Sequence, residues 1–364
     1  MNIVHTESSC AWGGQEIRVL SEMAGMMARG HRMLLLCPAE ARIFAEANKR
    51  GIPVEALPIG RKRIGGVLAL RRRLRDAEPD VVVTHSSTDS WLAALASKFF
   101  WRKGPHIVRV RHISAPVRRG PPTRWLYGKA AARIVTTGKR LRDELIRDLD
   151  LPPTHVVSVP TGIDLARYAP GDRTAARRQL GLAESAPIVG IVATLRSWKG
   201  HRYLLEAFAK LGDGDVQLVI VGDGPGRDNL RRQAADLGID ARVVMPGNRE
   251  DVGTWLSALD VFVLPSYANE GVPQAIMQAQ ASGLPVITTP VGSISEIVVD
   301  RSTGLLVPPR DVAKLRDALA ELLGDAALRR RLGDAALAQA RERYSEARML
   351  DRMEEVFRGV VGPA

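Results

Sequence analysis

Val261-Phe262-Val263-Leu264-Pro265-Ser266-Tyr267-Ala268-Asn269-Glu270-Gly271-Val272-Pro273-Gln274-Ala275-Ile276-Met277-Gln278-Ala279 passes from an apolar run, through a polar loop, into a helical pattern. The opening run reads as a strand. A helix is expected to start near Gly271–Pro273, with a proline placed where a first turn tolerates it. Ser282-Gly283-Leu284-Pro285-Val286 then leads into another strand and on to Val291-Gly292-Ser293. Strand, loop, helix and strand in that order make the repeating unit of a parallel α/β sheet.

The same alternation runs outward in both directions. Earlier strand candidates are Ile3–Thr6, Met33–Cys37, Val54–Leu57, Val81–Thr84, Ile107–Val110, Ile134–Thr137 and Val156–Val159. A helical pattern from Gln15 to Ala28 stops at Gly30. A second series contains Ile188–Ala193, Leu218–Val221, Val243–Met245, Val261–Leu264, Val286–Thr288 and Leu305–Val307. Ala166–Ala186, polar and carrying Pro170-Gly171, reads as the hinge. The expected fold is therefore α/β, with two Rossmann-like doubly wound domains, 1–166 and 167–345. A last helix, within 346–364, is expected to pack back on the first domain. Such sheets bind ligands at the carboxyl ends of their strands, so function is sought on the loops that follow strands, in a cleft between the two domains.

Composition narrows the class. A chain of 364 residues suits two domains, and 45% hydrophobic with 25% charged residues is ordinary for a globular protein. No apolar run approaches the ~18–20 residues of a membrane span, and Met1-Asn2-Ile3-Val4 opens as a strand rather than as a signal peptide. Cys10 and Cys37 form neither a disulfide framework nor a zinc spacing. A cytoplasmic setting is expected. Residues 1–170 hold 28 Lys+Arg against 15 Asp+Glu, a net of +13; the rest has 52−28=24 against 40−15=25, a net of −1. This asymmetry points to an anionic partner for the first half. Arg61-Lys62-Arg63 with Leu68–Arg75, Trp91–Lys103 (Phe99, Phe100, Trp101) and Pro116–Tyr127 (Trp125) mix cations with apolar side chains, as peripheral membrane contact would. No nucleic-acid reader motif accompanies the charge.

Glu270 stands just ahead of the helix, whose N–H groups and dipole favour an anion, and Gly271 lets a phosphate approach the backbone. Gln278, eight residues on, is roughly 12 Å away along a helix axis, the spacing of a sugar and a ribose flanking a diphosphate. Asp213-Gly214-Asp215 and Asp148-Leu149-Asp150 read as solvated turns rather than metal sites. Gly222-Asp223-Gly224-Pro225-Gly226 is no dinucleotide fingerprint.

Taken together, these strings resemble the family 4 glycosyltransferases. They comprise Glu-Gly-x-Pro at 270–273, Ala-x-Ala-x-Gly-x-Pro-Val at 279–286, Gly13-Gly14-Gln15-Glu16, Arg29-Gly30-His31, Pro160-Thr161-Gly162-Ile163-Asp164, Lys199-Gly200-His201, Val221-Gly222-Asp223-Gly224-Pro225 and Gly304-Leu305-Leu306-Val307-Pro308. The resemblance covers nearly the whole chain. It implies a GT-B fold and retaining transfer from a nucleotide-diphosphate sugar, uridine favoured, without a metal or other cofactor. Glu270 matches the first acid of the family's Glu-x7-Glu motif and contacts the transferred sugar; Gln278 stands in place of the second, the ribose ligand. Thr194 replaces the family's diphosphate arginine, and Arg196 with Lys199 is expected to serve instead. The expected donor set is Gly13, Gly14, Arg196, Lys199, Gly224, Asn248, Glu270, Gly271, Val272, Pro273 and Gln278. His112 resembles the family's histidine at the sugar end, and His85 and Asp89 are candidates for the acceptor side. The acceptor implied is a lipid-linked or envelope glycan, such as lipopolysaccharide or capsule, at the inner membrane face. Two other readings stay open: a catalytically silent sugar-nucleotide-binding scaffold, suggested by Thr194 and Gln278, and an epimerase on the same fold.

Overall fold

The computed structural model describes residues 1–98, 104–112, 117–212, 214–268 and 270–362. It divides into two units, Met1–Gly162 with Glu346–Ala364, and Ile163–Ser345.

The first unit holds a seven-stranded sheet of β1 (Asn2–Thr6), β2 (Arg32–Cys37), β3 (Val54–Ala56), β4 (Val81–Thr84), β5 (His106–Arg111), β6 (Arg133–Thr136) and β7 (Val156–Ser158). Their order is β3-β2-β1-β4-β5-β6-β7, parallel throughout, with Val4 opposite Leu34 on one side and Val82 on the other. The order of strands reverses between β1 and β4, the switch point at which such sheets bind ligands. Val81, Val82 and Val83 are all fully buried because the sheet is covered on both faces. Val81 and Val83 pack with Val19, Met23 and Met26, while Val82 packs with Leu70, Leu74 and Leu92. Each such side chain contributes about 1.5–3 kcal/mol by leaving water. The helix Glu346–Val361 completes the first layer through Met349, Leu350, Met353 and Phe357. Gly25 makes room for it, since a Cβ there would lie 2.3 Å from Leu350 Cδ1. Arg29 ties it down through Asp351 and Glu354.

The second unit holds a six-stranded parallel sheet of β8 (Ile188–Val192), β9 (Gln217–Val221), β10 (Val243–Gly247), β11 (Val261–Leu264), β12 (Val286–Thr288) and β13 (Leu305–Leu306), in the order β10-β9-β8-β11-β12-β13. Its switch point lies between β8 and β11. The helices Val312–Gly324 and Ala326–Arg343 follow, started by Asp311 and Asp325, whose carboxylates accept Lys314 N–H and Leu328 N–H.

Two boundaries differ from the sequence reading. The division falls after Gly162 rather than at 166, and the supposed hinge is built into the second unit. Within it the helix Arg173–Leu180 docks through Arg177, buried, which donates to Ala258 O and at 2.6 Å to Asp260. The same carboxylate takes Ile188 N–H at 2.7 Å, so a stretch that looks solvated is held at the foot of β8. The helix after β11 spans Gln274–Ala281, with Pro273 ahead of it rather than inside its first turn.

Candidate active site

In the second unit the residues singled out from sequence collect on loops leaving β8, β11 and β12, on both sides of the switch point. After β8 the chain makes a short 3₁₀ turn at Ser197–Lys199 and reverses at Gly200, φ +79°. Only glycine fits there, because a Cβ would lie 2.0 Å from Pro265 O. That approach brings Lys199 Nζ to 2.7 Å from Glu270 Oε1, and Ser266 Oγ donates to the same oxygen at 2.7 Å. Glu270 is 4% exposed. Charges taken out of water persist only when paired and hydrogen-bonded, and this carboxylate is both. Further bonds lock the loops together: Tyr267 N–H to Trp198 O at 2.9 Å, Ser293 N–H to Gly271 O at 3.2 Å, and Thr289 Oγ1 to Ser266 O.

Gln278, on the helix Gln274–Ala281, is buried; since only the later steps from 270 to 278 are helical, the spacing is not that of a continuous helix. Pro273 carries no N–H, so of residues 271–273 only Gly271 and Val272 can donate to an anion. Arg196 is exposed and lies 5.6 Å over the Trp198 ring. Gly224 admits the β8 loop, a Cβ there lying 2.9 Å from Leu195 N. Asn248 is exposed beyond β10, the edge strand. Sequence reading missed Ser266, and also Arg310, which lies 4.3 Å over the Tyr267 ring after β13. Their one signal was position just beyond a strand.

In the first unit the loops after β1, β4 and β5 converge. His85 is buried between two other imidazoles: its Nε2 lies 2.9 Å from His5 Nδ1 and its Nδ1 3.1 Å from His112 Nε2. With both nitrogens occupied, it presents none to an acceptor, contrary to the sequence expectation. Asp89 also differs from expectation. It is fully buried, and it accepts from Thr6 Oγ1, His85 N–H, Ser86 N–H and Ser86 Oγ, fastening the start of the helix Ser87–Lys98. His112, half-buried, is the member of the row that reaches the surface.

Gly13 is the extended residue ahead of the helix Gly14–Ala28. Glu16 Oε2 would lie 3.8 Å from a Cβ placed on Gly13. Glu7 is pushed up to about 8 by burial and then by the charge of Asp89. Because Glu7 keeps its proton in the folded chain while the unfolded chain loses it near the ordinary carboxyl range, stability declines as pH rises from about 4.5 to about 8. Glu7→Gln should flatten that decline, raising stability by about 2 kcal/mol at pH 8 relative to wild type and by little at pH 4.5. Denaturation of the two chains at both pH values measures it; parallel curves would refute it.

A cationic cluster lies on the same unit. Lys62 donates to Ser87 Oγ at 3.4 Å and lies 5.8 Å over the Trp91 ring. Burial and then Arg109 and Arg118 lower its pKa. Arg109, 4% exposed, lies 4.4 Å over the Tyr127 ring, and its Nε and Nη1 have no hydrogen-bond partner among the described residues. Of the aromatics in these basic segments, Trp91 stacks on Trp125, both half-buried, and Tyr127 is buried. Phe99, Phe100 and Trp101 lie outside the described residues. Among the described residues no helix is long and apolar enough to cross a membrane, and no cluster of three or more His, Cys, Asp or Glu could hold a metal.

Residues 172–339 match the family described as glycosyl transferases group 1, and residues 12–167 match glycosyltransferase family 4. A D-inositol 3-phosphate glycosyltransferase of Nocardia farcinica is 37% identical over 62% of this chain and 52% of its own. The match thus spans about half of that relative's length. The corresponding enzyme of Corynebacterium efficiens is 32% identical over 76% of this chain and 70% of its own. The solved structure of Anabaena Alr3699/HepE in complex with UDP superimposes with a TM-score of 0.87 at 22% identity, over 99% of this chain and 100% of that one. At that identity the likeness shows the fold.

Proposed function

We propose, from the premise that this chain belongs to the family 4, or group 1, glycosyltransferases, that it transfers a sugar with retention from a uridine diphosphate donor to a hydroxyl of an anionic acceptor. The observation that carries the reading is the Lys199–Glu270 pair, set beside Gly271 at the switch point of the second sheet. Lys199, Arg196 and the amides of Gly271 and Val272 would hold the diphosphate, where negative charge grows as the bond to the sugar breaks. Glu270 would accept hydrogen bonds from sugar hydroxyls. Gln278, which can both accept and donate, would grip the ribose. The acceptor oxygen bonds to the anomeric carbon as the carbon–oxygen bond to the diphosphate breaks on the same face, and the acceptor's proton passes to the departing phosphate. No step calls for a metal. His112 would meet a substrate hydroxyl.

The cluster of Lys62, Arg109 and Arg118 supports an acceptor bearing a phosphate or comparable anion, and the relatives named above act, by their names, on a phosphorylated polyol. A membrane-linked acceptor, such as an envelope glycan on the inner face of the membrane, is favoured by a different observation: Ile64 and Leu68, one turn apart, are 80% and 56% exposed beside Arg61, Lys62 and Arg63. Thermal shifts with a panel of nucleotide sugars test the donor, since a ligand at 100 times its Kd stabilises by about 2.7 kcal/mol. A uridine diphosphate sugar should give the largest shift. Gln278→Ala should shrink that shift and raise the donor KM with little change in kcat. A panel with no response would overturn the reading, and conversion of the donor without an acceptor would point to epimerisation.

A further inference from the structure

Behind His112, in the first unit, runs a buried polar row that the transfer reaction does not itself use. Arg18, on the helix Gly14–Ala28, is 1% exposed; it donates to Val159 O at 2.9 Å and Thr161 Oγ1 at 3.2 Å, and its Nε lies 3.6 Å from Glu22 Oε2. Glu22 is fully buried one turn along, with its Oε1 3.9 Å from His5 Nε2. His5 meets His85 at 2.9 Å, and His85 meets His112 at 3.1 Å. The row therefore begins at an ion pair and ends at the half-buried imidazole.

We propose that the Arg18–Glu22 pair, acting through His5 and His85 as positioning residues, fixes the tautomer of His112 so that its Nδ1 is a hydrogen-bond acceptor. The proposal rests on the reading of His112 as a group that meets substrate. A guanidinium does not lose its proton in a protein, so the fully buried Arg18 requires Glu22 as a carboxylate to balance it. A carboxylate favours an N–H rather than a lone pair on the imidazole nitrogen that faces it, which places the hydrogen of His5 on Nε2. His5 Nε2 and both oxygens of Glu22 have no hydrogen-bond partner among the described residues, so at 3.9 Å the buried carboxylate acts on the imidazole through its charge, with no competing donor or acceptor beside it. Burial, the largest cause in each case, holds all three imidazoles below their ordinary range, His5 at about 3. Each ring then carries one hydrogen.

A contact between two neutral rings needs one N–H and one lone pair. With His5 Nδ1 as a lone pair, His85 must donate from Nε2, which leaves its Nδ1 to accept from Nε2–H of His112. Nδ1 of His112 is then an acceptor and can take a hydrogen bond from a substrate O–H. It cannot donate to a sugar oxygen.

Two-bond proton–nitrogen correlation spectra of the full chain with ¹⁵N-labelled histidine read this directly. For wild type at pH 7, His5, His85 and His112 should each show a single tautomer, hydrogen on Nε2. Hydrogen on Nδ1 of His112 would overturn the proposal, and needs no variant to detect. His5→Phe removes the link to Glu22; His112 should then show both tautomers, and kcat should fall about tenfold with donor KM little changed, the scale of one misdirected hydrogen bond. His5→Asn, whose carbonyl can accept from His85, should restore the single tautomer and most of the turnover. An unchanged His112 pattern in His5→Phe would overturn the relay. Near-normal turnover in His112→Ala would instead sink the substrate role of His112 while leaving the wild-type spectrum to judge the tautomer, so the two failures are distinguishable.

Discussion

Glu270→Gln should lower turnover by about 10³-fold, roughly 4 kcal/mol of transition-state stabilisation, while leaving the fold intact. The substitution keeps the shape of the side chain, and Ser266 Oγ can still donate to the amide oxygen as it does to the carboxylate at 2.7 Å. The negative charge opposite Lys199 disappears. In the absence of donor, Glu270 is the partner that holds this ammonium in place, close to where a diphosphate would lie. With donor bound, the cation would have a second anion to serve, and the carboxylate would become available to sugar hydroxyls that turn more acidic as positive charge develops at the anomeric carbon. An amide interacts with those hydroxyls more weakly, and one half of it has the wrong polarity. A bland alternative makes Glu270 only the counter-ion of a half-buried lysine. The two readings separate on one measurement: under the bland one, Glu270→Gln binds donor at least as well as wild type and turns over near normally. Steady-state transfer rates, with donor-induced thermal shifts as a check on binding, decide between them.

Much of the fold was legible in the sequence for a simple reason. Parallel strands covered on both faces must be apolar at consecutive positions, so Val81-Val82-Val83 and Val261-Phe262-Val263-Leu264 announce themselves without any alternation. Strand ends shifted by only a residue or so, because pairing extends to polar neighbours such as Asn2 and Gln217 that no apolar pattern marks. The hinge was misplaced because Arg177, an unremarkable cation in a polar stretch, is spent on a buried Asp260. Arg18 and Glu22 likewise have the spacing of a surface pair on a helix, yet both are buried. Burial of a charge depends on what packs over it, here the strands and a helix from the far end of the chain, and spacing carries no trace of that. The meeting of Ser266, Glu270 and Gly271 was largely readable because one strand–loop–helix unit holds all three. The row of His5, His85 and His112 was not, since its members lie on β1 and just after β4 and β5 and meet only once the sheet order β1-β4-β5 is known.

Gly292→Ala should be among the most damaging single-methyl changes in the second unit, costing about 3–4 kcal/mol and most of the activity. Gly292 follows β12 with φ +60°, a backbone conformation that costs an L residue about 1–2 kcal/mol. A Cβ there would also lie 2.0 Å from Glu270 O and 2.8 Å from its carbonyl carbon. Both are backbone atoms, so no side chain can swing aside, and overpacking of this kind adds about 1–3 kcal/mol. The displaced group is the main chain of Glu270 itself, whose carboxylate is aligned by Lys199 and Ser266 to within hydrogen-bonding distance. Gly238 provides the control: its φ is +67°, and nothing lies within 4 Å of a Cβ placed on it. Gly238→Ala should therefore lose only the conformational part, about 1–2 kcal/mol, and keep its activity. The difference between the two alanines isolates the steric push on the Glu270 loop from the handedness of the backbone. Thermal denaturation and transfer rates for both variants measure it. Equal losses of stability, with activity kept in both, would mean that the loop after β12 yields and that Gly292 does not set the position of Glu270.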